Sequence, residues 1–158
     1  MKPCGIDSFS LLPCPNPIRT ERVDSRHFKI HGTPTDCVVV AQNKVLADRP
    51  ADLVLSGVNH GANLGEDIIY SGTVAAAMEA AVLGIPGIAF SQVRAFGESA
   101  HWGTAEAFGA EIVRRLMSFA WPRDFLVNVT FPPMPPSEVA GVRVCRQGRR
   151  ESGVEIVE

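Results

Sequence analysis

Two short apolar runs, Leu53-Val54-Leu55 and Gly87-Ile88-Ala89-Phe90-Ser91, flank an alanine-rich segment from Gly72 to Leu83. This spacing constrains the fold more than any other feature of the chain. Each run is too short for a helix and lacks the alternation of a half-solvated strand, so each suits a strand covered on both faces. The segment between them has the length and composition of a helix, with Ser71 placed to cap its start and Gly84 to close its end. Strand, helix, strand in that order predicts parallel strands joined by a helical crossover, the unit of an α/β fold.

The flanking sequence extends the pattern. His27–His31 alternates as a short strand. Thr33 is an N-cap with Pro34 at the first helical position and Asp36 near the positive helix end, predicting a helix that runs through Leu46 and stops before Pro50. Ala107, Phe108, Ile112, Leu116 and Phe119 recur near helical spacing, which predicts an amphipathic helix over Thr104–Ala120. Phe125–Val129 and Val142–Cys145 read as two further strands on either side of a proline-rich turn, Pro132–Pro136. Residues 1–17 hold four of the 12 prolines and read as an irregular leader, with residues 18–158 as the α/β domain. Gly153–Glu158 reads as a strand beginning, so both ends are expected to be incomplete.

Composition narrows the class. A chain of 158 residues with 46% hydrophobic side chains suits one packed domain and excludes a largely disordered one. A net charge of −2 gives no overall attraction to nucleic acid, and no apolar run reaches the roughly 20 residues of a membrane span. Cys37 and Cys145 sit in apolar or alternating surroundings and read as reduced, buried side chains. Cys4 and Cys14 lack metal-ligand spacing. The expected setting is the reducing cytoplasm.

In parallel α/β sheets, ligands sit beyond the carboxyl ends of the strands. The segment Ser56–Thr73 reads as a Gly/Asn-rich loop in that position, over Ser56–Gly65, leading into the Gly72–Leu83 helix. It offers Asn59, His60, Asn63, Ser71 and Thr73, and the free N–H groups of a helix start suit a phosphate. The glycine spacing matches neither the dinucleotide fingerprint nor the P-loop. Between Ala51 and Val113 the only Lys or Arg is Arg94, against seven acids, a local balance of −6. A phosphate bound here would therefore need backbone donors and a hard divalent cation rather than lysine or arginine. Each residue also has a plainer role: Asn59 and Asn63 suit turns, Ser71 a cap, Thr73 a bond to its own helix terminus, and Asp67 loop support. The arginines at 143, 146, 149 and 150 read as a solvated basic tail.

Three segments carry a family resemblance. They are Gly32-Thr33-Pro34-Thr35-Asp36-Cys37-Val38, the Asp52–Asp67 stretch around Ser56-Gly57-Val58-Asn59, and Tyr70-Ser71-Gly72-Thr73-Val74-Ala75-Ala76-Ala77-Met78-Glu79. Together they closely resemble the SurE family, over roughly Pro17 to Arg150. The resemblance implies a three-layer, Rossmann-like α/β fold with a mostly parallel sheet, incomplete here. It also implies a metal-dependent 5′-nucleotidase that hydrolyses nucleoside monophosphates, using Mg²⁺ or Mn²⁺, and a homo-oligomer in the full-length family. Carried over by position, Asn59 is implied as a metal ligand, and Asn63, Ser71, Gly72 and Thr73 as phosphate or substrate contacts. The family's metal-binding Asn-Asp-Asp-Gly has no counterpart, since no Asp-Asp pair occurs in the sequence, so the catalytic residues stay unassigned. Asp7, Ser8 and Ser10 of the leader are weak stand-ins. The rival expectation is an inactive chain that binds phosphate or nucleotide, or serves as an assembly module.

Overall fold

The computed structural model describes residues 17–94, 100–122 and 124–149. The leader and its Asp7, Ser8, Ser10, Cys4 and Cys14, together with the terminal strand expected at Gly153–Glu158, lie outside the described residues. Strands β1 (Arg19–Arg22) and β2 (Phe28–His31) form an antiparallel hairpin with Arg19 opposite His31. The sequence reading missed β1, whose Arg-Thr-Glu-Arg carries little apolar signal. The hairpin turn is built by Asp24, whose Oδ1 accepts the N–H groups of Arg26 and His27 at 2.7 and 2.8 Å.

Helix α1 (Pro34–Val40) starts as expected. Thr33 Oγ1 accepts the Asp36 N–H while the Asp36 carboxylate accepts the Thr33 N–H, a reciprocal cap. The chain stays helical through Val45, close to the expected end at Leu46, with its last five residues, Ala41–Val45, wound as a π-helical turn. The remaining elements are β3 (Val54–His60), α2 (Asp67–Tyr70), α3 (Gly72–Val82), β4 (Gly87–Gln92), α4 (Trp102–Met117) and β5 (Leu126–Phe131). A short 3₁₀ turn follows at Pro136–Glu138.

Strands β3, β4 and β5 form a parallel sheet in that order, with β4 in the middle and buried throughout. Its side chains divide the core between two faces. Ala89 packs with Val74 and Ala77 of α3, whereas Ile88 and Phe90 pack with Ala105 of α4 and Phe131 of β5. Helices therefore cover both faces, giving the expected three-layer α/β arrangement. Helix α1 joins the α3 side, where Val38 meets Ala76 and Ala80.

Two expectations are corrected here. Val142–Cys145 forms no strand: Val142 and Val144 are 81% and 97% exposed, and apolar alternation without a neighbouring strand to pair with does not hold a strand. Cys145 is accordingly exposed and Cys37 only half-buried, not the buried pair expected from their neighbours. Element ends also move by a few residues, α4 beginning at Trp102 and ending at Met117 instead of spanning Thr104–Ala120.

Candidate functional site

The carboxyl end of β3 is longer than the sequence suggests. The Gly/Asn-rich stretch is a loop only after His60, because Asn59 pairs with Ser91 and His60 with Gln92 on β4. The ladder is irregular between Ser56 and Asn59, where Gly57 adopts a φ of +117°. A Cβ at Gly57 would lie 2.4 Å from the Phe90 carbonyl oxygen, so only glycine lets β3 run this close to β4. The result is a strand that delivers Asn59 to the sheet's carboxyl edge.

Asn59 is half-buried and held. Its Nδ2 donates to the Gly61 carbonyl at 2.9 Å, and the Gly61 N–H donates to the Gln92 carbonyl at 2.9 Å. Its Oδ1 has no partner among the described residues and is an available acceptor. Asn63, further along the loop, is buried. The Asn128 side-chain amide of β5 donates to the Asn63 carbonyl at 2.9 Å, tying the loop to the far strand of the sheet. Asn63 Nδ2 is a buried side-chain donor with no partner among the described residues.

Helix α3 then starts where the sequence places it. Ser71 is its N-cap, accepting the Val74 N–H on Oγ at 3.2 Å. That leaves the Ser71 hydroxyl proton, the Thr73 hydroxyl and the first-turn N–H groups of Gly72 and Thr73 as donors at the positive helix end. Gly72 also packs on the start of α1: a Cβ there would come within 2.9 Å of the Pro34 ring. Ser71, Gly72 and Thr73 are thus contiguous at one helix terminus, with Asn59 on the strand before it and Asn63 on the connecting loop.

A largely apolar cleft of about 540 Å³ opens between α1 and β3, lined by Val38, Leu46, Leu53 and Leu55 among others, and it reaches Pro34, Ser56 and Gly57 beside the candidate site.

Three contacts around the site carried no sequence signal strong enough to find them. The His60 and Trp102 rings lie 5.7 Å apart, joining β3 to α4. Asn128 reaches Asn63. Gln147, in the tail, donates to the Gly65 carbonyl at 2.9 Å. Only the Arg-rich surroundings of Gln147 marked that region in advance.

The fold is that of a Rossmann-like α/β protein with a Gly/Asn-rich loop beyond the carboxyl end of a parallel strand, leading to a capped helix N-terminus. Residues 9–154 match the family described as Survival protein SurE, and the chain belongs to that family. It is 49% identical over 142 residues to the 5′-nucleotidase SurE of Paramagnetospirillum magneticum, covering 90% of this chain and 55% of that protein. It is 48% identical over 143 residues to the 5′-nucleotidase SurE of Caulobacter vibrioides, covering 89% and 54% respectively. The crystal structure of the SurE protein from Aquifex aeolicus superposes with a TM-score of 0.79 at 39% identity, covering 86% of this chain and 54% of that one. The chain therefore spans about half the length of the curated relatives it matches.

Among the described residues, no group of three His, Cys, Asp or Glu side chains is close enough to hold a metal ion. The donor offered is one neutral amide oxygen, on Asn59. Mg²⁺ requires near-octahedral oxygen coordination, with one or two carboxylates alongside waters and phosphate. The described residues alone do not fit a complete Mg²⁺ or Mn²⁺ site.

Proposed function

We propose that this chain carries the phosphate-recognition half of a metal-dependent 5′-nucleotidase site, for nucleoside monophosphates. The observation that supports this most is the start of α3, where Ser71, Gly72 and Thr73 present two hydroxyls and two free N–H groups on one helix end. That end lies beyond the strand bearing Asn59, and Asn63 adds a buried donor. Phosphate oxygens accept from these groups, and the helix dipole favours their negative charge. The nucleoside 5′ oxygen is the leaving group of the hydrolysis that the relatives' names describe.

Within this reading Asn59 would offer one carbonyl oxygen to Mg²⁺ or Mn²⁺, and carboxylate ligands would come from outside the described residues. A second reading is that residues 1–158 bind nucleotide with little turnover. Assembly with further copies belongs to the same proposal. A cytoplasmic setting is supported by the free thiols of Cys37 and Cys145.

The deciding experiment measures binding of adenosine 5′-monophosphate and of adenosine to the 158-residue chain, alongside phosphate release with Mn²⁺. Binding that depends on the phosphate supports the proposal, and the amount released separates the two readings. Equal binding of nucleotide and nucleoside contradicts phosphate recognition.

A further inference from the structure

The site region is acidic, with one arginine against seven carboxylates over residues 51–113, yet its substrate is an anion under the reading above. The compensating charge lies elsewhere in the chain. Residues 139–149 contain three arginines, Arg143, Arg146 and Arg149, and no acid. This tail has no helix or strand and residues 141–149 are exposed, but it is not detached. Gln147 Nε2 donates to the Gly65 carbonyl at 2.9 Å, across 82 positions of sequence. Gly65 belongs to the loop that joins Asn59 and Asn63 to the start of α3.

The tether fixes where the charge can act. Arg146 and Arg149 lie one and two positions from Gln147, which places their Cα atoms within about 8 Å of its own. None of the three arginines forms an ion pair among the described residues, while the loop carboxylates Glu66 and Asp67 already have partners. A plain solvated tail would need no bond to this loop.

We propose that residues 143–149 form a basic rim to the phosphate site, held there by the Gln147–Gly65 bond, which draws in and retains the anionic monophosphate. This inference rests on the phosphate-binding reading above. Arg146 and Arg149 act through charge at the mouth of the site. Gln147 is a positioning residue that keeps the rim over the loop.

The test is the affinity of the 158-residue chain for adenosine 5′-monophosphate, by titration calorimetry at low and moderate ionic strength. The double variant Arg146→Ala/Arg149→Ala should bind about fivefold more weakly at low salt, the combined effect expected of two exposed charge contacts. It should also lose most of the wild-type salt dependence, because screening weakens only the charge term. The lysine pair, Arg146→Lys/Arg149→Lys, should recover most of the affinity. Gln147→Ala should weaken nucleotide binding in the same direction with an unchanged melting temperature. Unchanged affinity and salt dependence in the alanine pair would overturn the rim while leaving the phosphate site standing. A wild-type chain that ignores the nucleotide would bring down both.

Discussion

Asn128 of β5 donates its side-chain amide to the backbone carbonyl of Asn63, at 2.9 Å. The two residues are 65 positions apart, and the bond ties the loop after β3 to the strand furthest from the one it leaves. Asn128→Ala should leave the carbonyl of a buried residue unpaired, costing about 1–3 kcal/mol in denaturant unfolding. It should also loosen the loop and weaken phosphate binding. Asn128→Asp should cost more, since a carboxylate would then face a carbonyl. Wild-type stability in both variants would show that the bond does not hold the loop.

Ser71 both caps α3 and is proposed to touch phosphate, and two substitutions separate these roles. Ser71→Ala should cost about 0.5–2 kcal/mol through the lost cap, whereas Ser71→Gly should cost only a few tenths. Both remove the hydroxyl. Phosphate affinity should therefore fall in Ser71→Gly despite near-wild-type stability, and Thr73→Val should weaken it again. Full affinity in Ser71→Gly and Thr73→Val would reduce these residues to helix chemistry.

Gly57 sets how closely β3 approaches β4. Gly57→Ala meets the Phe90 carbonyl oxygen at 2.4 Å and must keep a φ of +117°. Overpacking alone should cost about 1–3 kcal/mol, read as a lower urea midpoint. The displaced strand carries Asn59, so phosphate binding should fall with it. A midpoint equal to wild type would mean that β3 accommodates a side chain there.

The β1–β2 turn should respond to acid. The Arg26 backbone N–H, followed by the His27 side chain and the His27 N–H, holds the Asp24 carboxyl below its ordinary value of 3.8. A carboxyl lowered on folding stabilises the turn above the unfolded value and loses that contribution as pH falls through the folded one. The hairpin should stay closed at pH 5 and loosen only below 3.8. Following the Asp24 carboxyl carbon by NMR measures this, and a midpoint at or above 3.8 would contradict it.

The layers were readable from local pattern. The Gly87–Ser91 run and the caps at Thr33 and Ser71 mark β4, α1 and α3 because burial and capping leave residue-level signatures; the Leu53–Leu55 run marks β3 although that strand is not covered on both faces, Leu55 being 53% exposed. Ser71 was legible as the cap of α3, whereas Asn59 was singled out by the family motif alone, its local pattern suggesting a turn and not the strand it occupies. The hairpin strand β1 was not, since its polar residues are stabilised by pairing with β2. The alternating Val142–Cys145 run misled for the converse reason, having no partner strand among the described residues. Gln147 and Asn128 were invisible because their roles depend on contacts 82 and 65 positions away.

Under the proposed function, phosphate binds at the start of α3. The most direct measurement is an amide-correlation NMR titration of the ¹⁵N-labelled chain with inorganic phosphate, using chloride at equal ionic strength as the reference. Phosphate bound there should produce saturable shifts at the Gly72, Thr73 and Val74 amides and at the Asn63 side-chain amide. Saturable shifts confined to other residues, or none beyond those produced by chloride, would contradict it.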